Sequence, residues 1–178
     1  SVRESGEDVK ADYKITVTLA GNTENYTITT GEAKFAIKPA KVTLTAVDET
    51  TTYNGTEQSS SGAYTCSVSG VEFADGEIVA VAKGTDAKDY PITFADGTVG
   101  KKDKTGNYEV EKVEPGTFTI EPAKVTITPN DNSKIYGTQP DPTLTETVTG
   151  TIYNSEFTYT SVRESGEDVK ADYKITVT

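Results

Sequence analysis

The chain has 178 residues with 17 basic and 28 acidic side chains, a formal net charge of -11, and no histidine, tryptophan or methionine. That balance argues against a nucleic-acid or anionic-membrane surface, which needs clustered Lys and Arg. With no histidine and Cys66 as the single cysteine, histidine triads, Cys-His dyads, most zinc sites and any intrachain disulfide are excluded as well.

Residues 1–40 open on the turn Ser5-Gly6-Glu7-Asp8. Tyr13, Ile15 and Val17 then alternate with Lys14, Thr16 and Thr18, the period of a half-buried strand. Ala20-Gly21-Asn22 makes the next turn. Tyr26 and Ile28 continue the pattern, and Phe35 and Ile37 form a last short strand before Pro39. In residues 41–122, strands are predicted at 42–47, 63–68, 78–82, 90–94, 108–110 and 117–120, with a further short one at 71–73. The stretch 97–106, with Lys101, Lys102 and Lys104, is expected to project as a hairpin loop. In residues 123–178, strands are predicted at 124–128, 143–147, 157–160 and 172–178. No segment keeps a helical period over ten residues, and no apolar run approaches the length of a membrane-spanning helix.

Internal repetition orders these elements. Pro39-Ala40-Lys41-Val42-Thr43-Leu44-Thr45-Ala46 returns 83 positions later as Pro122-Ala123-Lys124-Val125-Thr126-Ile127-Thr128-Pro129. Each copy is followed by an acidic turn and a tyrosine-glycine turn, Tyr53-Asn54-Gly55 and Tyr136-Gly137. Residues 1–18 return without change as residues 161–178. Asp12 to Thr16 resembles Asp89 to Thr93, and Asn25-Tyr26 matches Asn107-Tyr108. The expected organisation is therefore residues 1–40 as the closing half of a repeat module, 41–122 as a complete module and 123–178 as the opening part of a further one. The last segment lacks counterparts of Tyr26, Ile28, Phe35 and Ile37, so an unpaired edge and strand exchange between neighbouring molecules are expected. A longer parent that continues the repeats is expected too. The fold class is all-β: tandem small Ig-like β-sandwich modules, with β-grasp-like modules as the alternative.

Individual residues carry weaker signals. Asp48-Glu49 and Asp131-Asn132 hold equivalent positions after a strand and are the best calcium candidates, against the simpler reading as solvated turns. Lys41 and Lys124 recur and invite an isopeptide crosslink, but alternation beside Val42 and Val125 turns both toward solvent. Tyr64, Cys66 and Val68 share one strand face, which places Cys66 inward as a small hydrophobe. Tyr53 and Tyr136 read as structural anchors of their turns. No catalytic, cofactor-binding or metal-ligating set emerges, so no cofactor is expected.

Two stretches carry a resemblance. Asn107-Tyr108, Ile120-Glu121-Pro122-Ala123, Val125 to Thr128 and Tyr136-Gly137 occur in the order of the MBG-type repeats of bacterial surface proteins, some named for a tyrosine-glycine turn. The earlier copy, Asn25-Tyr26, Ile37-Lys38-Pro39-Ala40 and Tyr53-Asn54-Gly55, departs by inserting Asn54 and by lacking a Pro140-Asp141-Pro142 equivalent. The resemblance implies an extracellular, wall-attached or adhesin-like protein at the bacterial surface, without catalytic residues. A spacer or stalk packed against neighbouring modules of the same chain is the leading function. The alternative is a module that binds a carbohydrate or host matrix protein multivalently, through its tyrosines and the Lys101 to Lys104 loop.

Overall fold

The computed structural model describes residues 1–155 and 157–178, and all regular structure among them is β-strand. In chain order the strands are β1 (Val2–Arg3), β2 (Lys10–Thr16), β3 (Ala33–Ile37), β4 (Ala40–Ala46), β5 (Glu49–Thr52), β6 (Gln58–Ser59), β7 (Tyr64–Cys66), β8 (Ala80–Val81), β9 (Lys83–Gly84), β10 (Asp89–Phe94), β11 (Tyr108–Glu114), β12 (Gly116–Glu121), β13 (Thr126–Pro129), β14 (Glu146–Thr149), β15 (Ser161–Arg163) and β16 (Ile175–Val177). The sheets have the orders β1-β2-β3, β5-β12-β10-β8, β11-β4-β7, β13-β14, β15-β16 and β6-β9. This is an all-β architecture of several small sheets. Two compact units can be separated, and each is described by itself.

The first unit comprises Ser1–Glu49, Ser59–Lys83 and Asp89–Phe118. Its centre is β4, where β-branched residues alternate with apolar ones. Val42, Leu44 and Ala46 are buried on one face, while Lys41 and Thr45 face out. The strand is flanked by antiparallel β7, with Leu44 opposite Cys66, and by parallel β11, with Val42 opposite Val110. The core joins Val42, Leu44, Phe73, Ile78 and Val110, with Tyr64, Cys66, Phe94 and Val113 packed around it. Tyr64 and Phe94 meet edge-on at 6.2 Å.

Strand β11 runs past the predicted 108–110 because its ladder contains an irregularity. Val110 pairs with Val42 and Val113 with Leu44, although Val110 and Val113 are three residues apart and Val42 and Leu44 are two apart. A β-bulge between Val110 and Lys112 absorbs the extra residue and keeps both valines on the core side. A period-2 reading loses the strand at that point.

Other expectations are corrected. Residues 71–73 form no strand; Phe73 enters the core from a loop closed by the Glu77 amide donating to the Ala74 carbonyl. Tyr26 and Ile28 do not continue a strand, and Tyr26 is 73% exposed. Their supposed counterpart Tyr108 opens β11, which rests on parallel β4. The Asn-Tyr pairs therefore match in sequence and differ in setting.

Residues 97–106 do turn back as a hairpin on the start of β11, with Lys102 bridging Glu109 antiparallel and the Val110 amide donating to the Lys101 carbonyl, but the hairpin does not project. They connect β10 to β11, which lie in different sheets, and they fold down against the unit. Thr98 and Asp103 are buried. The Asp103 carboxylate accepts from the Thr105 hydroxyl at 2.6 Å, the Tyr108 amide at 2.9 Å and the Thr105 amide at 3.1 Å. Burial opposes its ionisation, but these donors and the Gly106 amide outweigh it and hold the carboxyl below its ordinary value.

The second unit comprises Thr50–Gln58, Gly84–Lys88 and Thr119–Thr178. Antiparallel β13 and β14 place Ile127 opposite Val148, and β15 and β16 place Val162 opposite Thr176. The strand expected at 157–160 is absent: the β15–β16 ladder closes at the reciprocal backbone bonds of Thr160 and Thr178, and the regular strand begins at Ser161.

Candidate functional site

The tyrosine-glycine signature of the second unit is a tight turn. The Thr138 amide donates to the Ile135 carbonyl at 3.1 Å, and Gly137, third of the four residues, has φ of 82°. That geometry is a type II turn, which calls for glycine at this position. It lifts Ile135 and Tyr136 into solvent, 81% and 70% exposed. Tyr136 thus stands mostly in solvent, where sequence led to the expectation of a structural anchor for the turn. A type II turn carries its second residue at the tip, away from the packed face. Tyr53 behaves differently: it is half-buried and meets Tyr153 edge-on at 5.7 Å. Gly55, with φ of 76°, lies so close beneath Tyr153 that an added Cβ would stand 2.8 Å from the Tyr153 Cβ.

Beside the Tyr136 turn lies a cavity of about 600 Å³, whose lining includes Tyr136, Leu144, Arg163, Glu167, Tyr173 and Ile175. Four alternating charges hold one side of it. The Lys134 ammonium pairs with Asp141 and, at 2.6 Å, with Glu167; the Arg163 guanidinium pairs with Asp141 at 2.8 Å and Glu167 at 2.9 Å. Hydrogen bonds from Lys134, then Arg163, hold the Asp141 carboxyl below its ordinary value, and Lys134 does the same first for Glu167. The bond to Asp141 raises Lys134 in turn. Both acids thus favour the native state above the ordinary carboxylate value of about 4 and lose that advantage as pH falls through their depressed native values. Lys134→Met is expected to move both titrations upward, toward the ordinary value. Carboxyl NMR over a pH series reads this directly, and unshifted midpoints would refute the assignment.

This cluster was not anticipated from sequence, because its members come from three separated stretches. A signal was nonetheless present: Arg163 and Glu167 stand four apart inside the duplicated segment, as Arg3 and Glu7 do, and the latter pair is also bonded, at 2.5 Å. The structure scatters the other candidates. Asp48 accepts from the Thr117 amide at 2.7 Å, and Glu49 accepts from the Ser61 amide and hydroxyl. Asn132 bonds the Thr143 carbonyl and the Ser133 amide. Among the described residues, no three Asp, Glu or Cys side chains are grouped to hold a metal ion. Lys41 and Lys124 are both exposed, and Lys41 pairs with Glu109 at 2.5 Å. Cys66 is half-buried against the core of the first unit. Of the three lysines in residues 97–106, Lys101 pairs with Glu77 at 3.7 Å and Lys104 with Glu72 at 3.2 Å, and Lys102 stands across the ladder from Glu109.

These features describe an all-β unit marked by a tyrosine-glycine turn. Residues 125–178 match the family model of the MBG domain (YGX type), a module found in bacterial surface and adhesin proteins. No curated protein and no solved structure matches the chain.

Proposed function

We propose that this chain is a run of non-catalytic repeat modules serving as a spacer or stalk in an extracellular, bacterial cell-surface protein. The match of residues 125–178 to the MBG domain (YGX type) carries the reading. The unchanged return of residues 1–18 at 161–178 supports it, since repetition of whole segments is how an array is extended. Module limits at 1–40, 41–122 and 123–178, with a sandwich-like core in the complete module, belong to the same proposal. Prolines at 39 and 122 fix φ at the module limits and leave little slack for a flexible linker.

A chain carrying one, two or three copies of residues 19–178 tests the proposal by small-angle scattering. The maximum dimension should grow by an equal increment per copy. A compact profile that merely thickens would sink the spacer reading.

One observation favours a second reading, a glycan- or host-protein-binding module. Ile135 and Tyr136 stand exposed at a turn tip beside a cavity, as an aromatic contact residue would. A glycan and matrix-protein screen of the three-copy chain, repeated with Tyr136→Ser, separates the two. Binding lost with the tyrosine establishes the second reading.

A further inference from the structure

Asn107 ends the loop that the buried Asp103 organises and stands immediately before β11. Its amide donates to the Thr105 hydroxyl at 3.2 Å, and its carbonyl accepts from the Ala40 amide at 2.9 Å, next to Pro39. The Asn107 backbone is thereby fixed where residues 1–40 give way to residues 41–122. Its side chain reaches across that limit. Oδ1 accepts from the Val9 amide at 2.7 Å, and Nδ2 donates to the Asp8 carboxylate at 2.9 Å. Among the described residues these two are the hydrogen bonds that join residues 1–38 to residues 41–122, and the β1-β2-β3 sheet shares no ladder with the strands of 41–122.

The turn that Asn107 meets is built by its own residues. The Arg3 guanidinium donates to the Gly6 carbonyl, and the Tyr13 hydroxyl donates to the Asp8 carbonyl at 2.8 Å. The identical segment 161–178 makes the same two bonds, Arg163 to Gly166 and Tyr173 to Asp168. With the Asp8 carbonyl committed to Tyr13, the Asp8 carboxylate and the Val9 amide are what the turn offers Asn107: one acceptor and one donor on adjacent residues. A carboxamide carries one donor and one acceptor side by side and matches that pair; a carboxylate, which only accepts, does not.

We infer that the Asn107 side chain is a docking site for an acidic turn of the Gly6-Glu7-Asp8-Val9 type in the preceding repeat, and that this latch fixes the orientation of residues 1–38 on residues 41–122. The inference rests on the module limits proposed above. Neighbouring modules joined by small polar contacts move against each other by default. Here one side chain supplies both bonds across the limit, and the bond to the Asp8 carboxylate is charge-assisted. Asn107→Asp keeps the shape, loses the donor and sets a second negative charge against Asp8. Adding Asp8→Asn returns a donor to the pair and removes that repulsion, so the double variant restores the latch with its polarity reversed.

Amide hydrogen exchange in the full chain, followed by NMR, tests the site at Val9. Asn107→Asp should speed exchange of the Val9 amide about tenfold while the core Val110 amide stays protected. Asp8→Ala, on the exposed turn, should speed it about threefold. The Asp8→Asn, Asn107→Asp double variant should return close to the parent. Residual dipolar couplings read the orientation: one alignment frame should fit residues 10–16 and 40–46 in the parent and the double variant, and two should be needed in Asn107→Asp. The inference is overturned by unchanged Val9 exchange in Asn107→Asp, by a single frame in that variant, or by a double variant as open as the single. If Asn107→Asp also exposes Val110, Asp8→Ala decides: faster Val9 exchange supports the latch and unchanged exchange overturns it. Unequal increments in the scattering series would overturn the spacer reading and leave the latch standing, since Val9 is read within one chain.

Discussion

Replacing Leu44 with alanine is expected to destabilise the first unit by about 3–4 kcal/mol, the range of fully buried leucines whose surroundings cannot collapse. Leu44 has no solvent exposure, and it sits on the central strand between Cys66 on one neighbour and Val113 on the other. Phe73 and Ile78 close the core from a loop. Sheet neighbours are fixed by their ladders, so little of the vacated volume can be refilled. Urea melts of the full chain should show the midpoint of the first unit fall at an unchanged slope, which separates a stability change from a change in the unfolded state. Thr45→Ala, on the outward face of the same strand, should stay within about 0.5 kcal/mol of the parent. If the two substitutions cost the same, β4 does not carry the core described.

Asp103→Ala should be the next most damaging change, at about 3 kcal/mol. A buried carboxylate holding charge-assisted bonds contributes about 1.5–3 kcal/mol through such a bond, and its removal takes away the acceptor that the Thr105 and Tyr108 amides share. The cost should depend on pH in a set direction. The native carboxyl titrates below its ordinary value, so its contribution is complete above about pH 5 and is lost as pH falls toward and through the native value. Asp103→Asn retains an acceptor and should cost less. Its deficit should be largest near neutrality and shrink in acid, measured as urea midpoints from pH 7 downward. A deficit that is flat with pH would mean the charge is not what holds the loop.

The parts of this molecule that sequence reading captured are those where one local rule acts alone. Val42, Leu44 and Ala46 alternate with threonines and lysine, and the strand they predict is β4. Phe118 and Ile120 likewise mark β12. Reading failed where a second rule intervened. The bulge after Val110 breaks the period of two while preserving the burial that the period exists to report. In the stretch 97–106 the lysines drew attention, yet the residue that organises it is Asp103, whose partners are amides and a hydroxyl that leave no mark in composition. Ser60, one of three consecutive serines that composition alone would leave in solvent, is buried and exchanges hydrogen bonds with Ala82. The Lys134, Asp141, Arg163 and Glu167 cluster depends on proximity that no spacing rule encodes. Tyr136 was misjudged because an aromatic beside glycine was equated with packing, whereas the turn type decides which way that residue points.

The parallel ladder between β4 and β11 sets the order in which this unit can be assembled. Ala40 finds its partner in Tyr108 and Thr45 in Glu114, so the central strand is made long before the strand that completes it. The early antiparallel neighbour, β7, pairs only Leu44, Thr45 and Ala46. Until residues 108–114 have been synthesised, Val42 has no opposite number in the sheet, and closing that long intervening loop costs chain entropy before the ladder offsets it. The hairpin-like pairs β13–β14 and β15–β16 close over shorter separations and can form as they emerge. An uncovered β4 is therefore the element of this unit most exposed to mispairing until its late strand arrives.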